Sequence, residues 1–593
     1  MNNTNIGAII AALRYKKRYS RKKLCQGLCS IPMLIKIEND ETDVDKFLVD
    51  MLLQRLGKST DKLEVILSDE EYERIHIRDY IEELIWKQKK DEAISLLNKY
   101  EKQYAKDSNV QKMFVLRTKA YISSKLEKDV KLMENYILQA IETTLPGINS
   151  KNMGKYLLAE SEIENMLMLS QCFLELGKCE EAEELMTICQ KYIDINVTDE
   201  VEYAKLNSKS SWLRADFFIK KGAYIEAYQI CEKAMEWLRK YGILYFMLPL
   251  LEQLVFCSEQ LQIDINRSKW KIYNDILIQL YCDYGKPWYC HDSLFHNCYQ
   301  TVYHLASEFI RQERLARALT QEQLIEGVYG APENLSRIEH GKSVPTRKKF
   351  EGLMENLGVE RGKYCGTAIV ENFEVLELKY EIDILIGTGK YDKAQEKLNQ
   401  LRGLLNYEKK INCMAVEVYQ SMLDIGCGRI NANSLYEKLM LLLEESSLLR
   451  NGKLYRVPFY NELLVLNMIC SSLRKMEKIE KSVIIYEEII RVIEESRVDA
   501  RYQNNILSLV LANIDLMDSN RKWSNIGISY ELFCGKGNMI YMHFVSQIEL
   551  EENEKTRRKI TRLAYYMSDL FFREVNKQRI KKYYEQTYGE ELL

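Results

Sequence analysis

The sequence predicts an all-α fold in which a small helical head precedes a long helical array, with the whole arrangement occurring twice. Three observations carry this. Only 7 Pro and 26 Gly interrupt 593 residues rich in Leu, Ile, Glu, Lys and Tyr, a composition that favours helix. Ile10, Arg14, Ser20, Leu24, Gly27 and Pro32 match Ile310, Arg314, Thr320, Leu324, Gly327 and Pro332 at an offset of 300. One inserted residue then makes the offset 301, so that Ile37-Glu38 matches Ile338-Glu339 and Leu56-Gly57 matches Leu357-Gly358. The register continues as Lys89, Asp91 and Ala93 match Lys390, Asp392 and Ala394. A chain of this length exceeds a single core. The expected division is a first head over 1–62, an array over 63–288, a junction over 289–304, a second head over 305–364 and a second array over 365–593.

The second head has the clearer local signals. Arg311 to Ala318 forms a first helix, and Thr320 followed by Gln323 and Leu324 is a capping box that starts a second near Gln321. GVYGAP supplies a turn, Pro332 suits the first position of a third helix, and Leu335 and Ile338 form its apolar face. Gly341 is a natural left-handed cap. With Leu324, Gly327 and Ser336-Arg337-Ile338-Glu339-His340-Gly341, the segment from Leu305 to Tyr364 resembles the Xre-type, lambda-repressor-like helix-turn-helix fold. The resemblance implies a third helix that enters the major groove of duplex DNA. Glu333, Asn334, Ser336 and Arg337 fall on or near its outer face, where Asn pairs with adenine and Arg with guanine or phosphate. Thr320, Gln321, Lys342, Arg347, Lys348 and Lys349 are the expected backbone contacts.

The first head departs from this pattern. Its third helix, CSIPMLIKIEND, carries Ile31, Met33 and Ile35 where the second has polar residues, leaving Lys36 as the main charged candidate. Lys16, Lys17, Arg18, Arg21, Lys22 and Lys23 form a basic collar suited to phosphates without base reading. Packing of Ile31 and Met33 on another domain is the alternative. The net charge of −3 hides this asymmetry, since residues 1–40 hold eight Lys or Arg against two acids. Residues 306–350 hold eight against six.

Within the arrays, KKDEAISLLNKY, ELGKCEEAEELM and KKGAYIEAYQICEKAMEWL share a turn, an acidic residue, Ala and an apolar face. TGKYDKAQEKL and, more weakly, MEKIEKSVIIYEEI repeat the pattern in the second half. Gly177 and Gly222 stand at such turns, and Ala182, Ala227 and Ala234 allow close helix approach. These segments resemble tetratricopeptide repeats, which implies stacked helix pairs forming a right-handed superhelix with a concave binding side. Tyr and Leu stripes on these helices read as core.

The junction places Cys282, Cys290, His291, His296, Cys298 and His304 close in sequence, but without a zinc-knuckle spacing. Packed aromatic helices are preferred there and no metal site is expected. The 15 scattered Cys point to a reducing compartment. Polar MNNTN with no long apolar run after it predicts a cytoplasmic protein without a membrane span.

A helix-turn-helix joined to a degenerate tetratricopeptide array resembles the RRNPP group of peptide-pheromone-sensing regulators. Gly27-Leu28-Cys29-Ser30 with Lys36-Ile37-Glu38, Ser336 to Glu339 and the repeat turns carry the resemblance. It implies operator binding by dimers and a short linear peptide in the groove. Fusion of two units departs from the group and suggests a pseudo-dimer within one chain, with further homodimerisation an option. An Asn on the groove helices is implied as the peptide holder; Asn207 and Asn505, which correspond at an offset of 298, are the candidates, with plain surface positions as the alternative. No phosphate loop, nucleophile elbow or metalloprotease motif is present, so neither catalysis nor a cofactor is expected. A scaffold or sequestering protein that binds a partner protein is the second reading.

Overall fold

Gly177 and Gly222, marked in the sequence as turn residues, adopt left-handed φ angles of 75° and 76° in the computed structural model of the chain. The next residue takes φ −83°, ψ 65° at Lys178 and φ −88°, ψ 69° at Ala223, and a helix follows. Gly389 with Lys390 repeats this turn, and so do Gln88 with Lys89 and Glu477 with Lys478, where the left-handed residue is not glycine. A left-handed non-glycine residue costs about 1 kcal/mol or more and persists only under tertiary constraint. That constraint is visible four residues after each turn begins to wind: Ala93, Ala182, Ala227, Ala394 and Ser482 are all 0% exposed. The small residue lets the new helix close onto its neighbour, which fixes the turn.

The structure describes residues 6–59, 62–285, 302–359, 362–365, 368, 372–444, 448–450, 452–514 and 522–592. They fall into two units, one of Ile10–Thr60 and Glu73–Cys298, the other of Met1–Ile9, Asp61–Tyr72 and Tyr299–Leu593. The first head contributes α1 (Ile6–Lys16), α2 (Arg21–Cys25), α3 (Ile31–Glu38) and α4 (Lys46–Arg55). Its array follows as α5 (Asp69–Trp86), α6 (Lys90–Tyr104), α7 (Asn109–Ile122), α8 (Val130–Thr144), α9 (Glu160–Glu175), α10 (Cys179–Asn196), α11 (Glu200–Lys220), α12 (Tyr224–Tyr241), α13 (Met247–Leu261) and α14 (Asp264–Asp283). From α6 onward consecutive helices pack on one another, and α11 also packs on α9 and α13 to form an inner row. Buried Tyr100, Tyr121, Ile137, Leu167, Cys189 and Leu206 belong to the core between the layers.

The second unit contains α15 (Ala306–Ala316), α16 (Gln321–Ile325), α17 (Pro332–Glu339) and α18 (Arg347–Asn356) as its head. The array comprises α19 (Phe373–Gly387), α20 (Tyr391–Leu404), α21 (Lys410–Gly426), α22 (Ala432–Glu444), α23 (Tyr460–Lys475), α24 (Ile479–Glu494), α25 (Asn504–Ile514), α26 (Lys522–Phe533), α27 (Ile540–Leu550), α28 (Glu554–Leu570) and α29 (Glu574–Tyr588). Here α19, α21, α23, α25 and α27 form the inner row.

Short strands supplement the helical fold that composition predicts. β1 (Glu64–Leu67) lies between β2 (Tyr303–Leu305), to which it is parallel, and β3 (Tyr364–Cys365), to which it is antiparallel. Val65 and Ile66 suit a strand buried on both faces, and all four residues of β1 are buried. Ile66 enters the core of the second head beside Phe309, Ile310, Leu324, Leu335 and Ile338. In the β1–β3 pair Glu64 faces Cys365, its own counterpart at offset 301. The further strands β4 (Leu449–Arg450) and β5 (Lys453–Leu454) form a hairpin.

The eight-residue helices α3 and α17 correct one detail of the internal alignment. Both end on the matched Ile-Glu pair, so the inserted residue lies in the turn before them. Ile31 therefore corresponds to Pro332, and Pro32 to Glu333, instead of Pro32 to Pro332. Met33, Ile35 and Lys36 fall at the positions of Asn334, Ser336 and Arg337.

Candidate functional site

Each head is built around one buried ion pair between its first and third helices. Arg14 Nε donates to Glu38 Oε1 at 2.6 Å and Nη2 to Oε2 at 2.9 Å. Arg314 makes the same fork on Glu339, at 2.6 and 3.0 Å. Burial pushes the Glu38 carboxyl up, but the hydrogen bonds from Arg14 and Arg21 outweigh it and hold the group below the usual carboxylate range. The same bond to Glu38 raises Arg14. Both pairs fall on matched positions of the two halves, and the only sequence signal for them is matched opposite charge in neighbouring helices.

On this frame the second head presents an open polar surface. Thr320 caps α16 with the full box: its Oγ1 accepts from Gln323 N at 3.2 Å, and Gln323 Oε1 accepts from Thr320 N at 2.8 Å. Gln321 is engaged internally, donating from Nε2 to Glu339 Oε2 at 2.8 Å. Glu333, Asn334 and Arg337 on α17 are exposed, as are Lys342 and Lys348, while Ser336 is half-buried. Arg347 pairs with Glu351 at 2.9 Å, and Lys349 lies over the Tyr329 ring. Gly341 closes α17 with φ 68°, and a Cβ there would meet Asp69 Oδ1 at 2.3 Å.

In the first head Lys16, Lys22 and Lys36 are exposed, and Lys17, Arg21 and Lys23 are half-buried. Arg21 is partly committed, donating from Nε to Glu38 Oε2 at 2.7 Å. Lys23 lies over the Tyr19 ring. The outward side of α3 carries Ile31, Pro32, Met33, Ile35 and Lys36, while Leu34 and Ile37 are buried. Ser30 caps this helix by accepting from Met33 N at 3.3 Å.

The heads join their arrays differently. Arg55 is buried and donates to the carbonyls of Leu24, Gln26 and Thr144 and to both oxygens of Glu162, the last at 2.6 and 3.1 Å. In the second half Arg456 of the array forks onto Glu462, with both contacts at 2.7 Å, and also binds Glu313 on α15. Arg497 adds Glu308 at 3.0 Å and Asp69 at 2.6 Å.

Inner-row helices of the arrays carry charge that no motif announced. Glu164 on α9 binds Arg117 on α7, accepts from Tyr245 OH at 3.0 Å, and stands 3.8 Å from Lys209 Nζ on α11. Next to it, Asn165 is 0% exposed and neither amide atom has a hydrogen-bond partner. Asn207 is also on α11, buried, and accepts from Gln190 Nε2 at 3.0 Å. Asn505 lies in α25, but its side chain falls outside the described residues. In the second array Tyr419 OH donates to Asp383 Oδ1 at 2.9 Å, and Lys379 Nζ lies 5.4 and 5.2 Å from the Tyr419 and Tyr460 rings. Burial lowers Lys379 and raises Asp383.

Cys290, His291, His296 and Cys298 of the junction also lie outside the described residues. His304 sits in β2 with Nε2 3.5 Å from Glu64 Oε2. Among the described residues no cluster of His, Cys, Asp or Glu could hold a metal ion, and no helix is long and apolar enough to cross a membrane.

No protein-family model matches the sequence, and no curated protein matches it. Among solved structures, Bacillus thuringiensis PlcR in complex with the peptide PapR7 and DNA aligns at 17% identity over 46% of this chain and 98% of its own, with a TM-score of 0.30. ComR from S. thermophilus, in complex with DNA and its signalling peptide ComS, aligns at 16% identity over 47% of this chain and 99% of its own, with a TM-score of 0.28. Similarity at this level carries no functional argument.

Proposed function

We propose that the chain is a DNA-binding transcriptional regulator, controlled by a short peptide held in its tetratricopeptide-like arrays, with two fused helix-turn-helix halves acting as an intramolecular pseudo-dimer. The observation that carries this reading is α17. Its buried face fixes it to the head through Leu335, Ile338 and the Arg314–Glu339 fork, while Glu333, Asn334 and Arg337 remain exposed. A helix so held presents Asn to adenine and Arg to guanine or phosphate, with Lys342 and Lys348 available to the backbone on either side.

The β1–β3 register supports the pseudo-dimer reading, because a residue facing its own counterpart is the pattern a two-fold axis produces. Fusion supplies the second head at an effective concentration of about millimolar order without dimerisation. For the peptide, Asn207 on α11 is the candidate holder, its Oδ1 being shared with Gln190 Nε2. The peptide acts only through its difference in affinity between arrangements of the protein.

The test is selection from a random pool of DNA duplexes at moderate salt, with the wild type and Asn334→Ala/Arg337→Ala. An enriched motif lost in the double variant is expected. No enrichment at any salt would sink the reading for the unliganded protein. The second reading, a repeat scaffold that sequesters a protein partner, is favoured by the apolar outer side of α3; under it the double variant keeps its partner and neither protein selects a motif.

A further inference from the structure

The outward side of α3 is largely apolar and partly exposed. Leu34 and Ile37 already anchor the helix, at 0% and 1% exposure, and Ser30 caps its start. Yet Ile31 is 42% exposed, Pro32 is exposed, and Met33 and Ile35 are half-buried. Ile31 and Ile35 are four residues apart and share one face. They occupy the positions that in α17 belong to Pro332 and Ser336, while Pro32 and Met33 stand where Glu333 and Asn334 do.

The electrostatic setting selects the partner. The first 37 residues contain eight Lys or Arg and no acid, and the next residue, Glu38, is consumed by Arg14 and Arg21. Where the second head has Glu322 and Gln323 at the start of its second helix, the first has Lys22 and Lys23. An apolar strip inside a basic surface fits a partner that is uniformly anionic outside and apolar at discrete points within. Duplex DNA meets this description, since the thymine C5 methyl is the apolar group of the major groove.

We propose that the first head reads thymine, with Ile31, Pro32 and Ile35 receiving C5 methyl groups while Lys16, Lys22, Lys23 and Lys36 hold the flanking phosphates. The two heads then divide recognition: α17 reads by hydrogen bonds and α3 by apolar contact, so the operator has two dissimilar half-sites. This rests on the reading that the chain binds duplex DNA.

The experiment uses the full chain and two random duplex pools, one made with thymidine and one with deoxyuridine, which lacks only the methyl. From the thymidine pool the wild type is expected to select a two-part motif, one part rich in thymine. From the deoxyuridine pool that part loses enrichment and the other persists. Binding to the selected duplex weakens roughly fourfold for each methyl removed, the worth of one buried apolar carbon. Ile31→Ser/Ile35→Ser alters one exposed and one half-buried side chain, and its fold is checked by circular dichroism. It is expected to bind thymidine and deoxyuridine duplexes alike, with the salt dependence of the wild type. Identical motifs from both pools overturn the proposal. A thymine-rich part that survives in the variant overturns it too, and is the result if the strip serves a protein partner. No motif from either pool removes DNA reading altogether, a pattern distinct from a motif that tolerates uracil.

Discussion

Arg55 and Asn356 hold the same helical position in the two heads and donate to matching carbonyls, Leu24 and Gln26 in one, Leu324 and Glu326 in the other. Only Arg55 is long enough to continue to Glu162, so one side chain both braces the head and ties it to the array. Asn356 braces without tying, and Arg456 supplies the tie from the array side. Removing Arg55 strands Glu162, which like Arg55 has a side chain 1% exposed. Arg55→Met is expected to cost about 3–5 kcal/mol, because an uncompensated buried charge remains. Asn356→Ala should cost only about 1–3 kcal/mol for its unpaired carbonyls. Urea unfolding of the two variants measures the contrast, and equal shifts would refute the division of roles.

The same asymmetry appears at a pair of matched glycines. Gly27 and Gly327 both take left-handed angles, φ 71° and 73°. A Cβ on Gly27 would lie 2.1 Å from the Thr144 carbonyl oxygen, whereas one on Gly327 meets nothing within 4 Å. Gly327→Ala should therefore lose only the backbone term, about 1–2 kcal/mol. Gly27→Ala carries that term and must also push the first head away from the end of α8. Limited proteolysis should show Gly27→Ala cleaved between head and array well before Gly327→Ala. Similar cleavage rates in both would mean the close approach is not rigid.

If the basic collar grips phosphates, its removal acts on every sequence equally. Lys22→Ala/Lys23→Ala is expected to weaken binding to selected and unselected duplexes by a similar factor, and to reduce the slope of log K against log salt by about 2. Arg337→Ala should instead relax base preference at one position. Fluorescence anisotropy across a salt series separates the two outcomes, and an unchanged slope in the lysine variant would move the phosphate contacts elsewhere.

The repeat turns were legible because each combines a local backbone requirement with a small residue, as at Gly177 with Ala182 and Gly222 with Ala227. The cap of α16 was legible for the same reason: Thr320 and Gln323 are three residues apart and satisfy each other. β1 was not, since a four-residue strand whose partners lie near Tyr303 and Tyr364 leaves no periodic signal. The charges around Glu164 were also hidden. Arg117, Lys209 and Tyr245 come from three other places in the chain, and nothing local distinguishes a buried lysine from a solvated one.

His543 gives a pH dependence with a defined sign. Its ring is fully buried in α27, with Nε2 3.2 Å from Ser508 Oγ and Cε1 2.1 Å from where a Cβ on Gly527 would lie. Burial pushes it down to about 3 from an ordinary 6.5. The unfolded chain therefore takes up the proton first as pH falls, and the folded state resists it. Stability from this group is complete above pH 6.5 and is lost progressively between 6.5 and about 3. The slope approaches about 1.4 kcal/mol per pH unit, so roughly 2 kcal/mol disappears by about pH 5. His543→Leu removes the titration while adding a constant penalty for the lost Ser508 contact. Urea unfolding at pH 7, 6 and 5 should show the gap between wild type and variant narrowing as the solution is acidified. A gap that stays constant would mean that His543 takes up its proton in the folded state at its ordinary value, and one that widens that it does so above that value, through water or a rearranged neighbour reaching the ring.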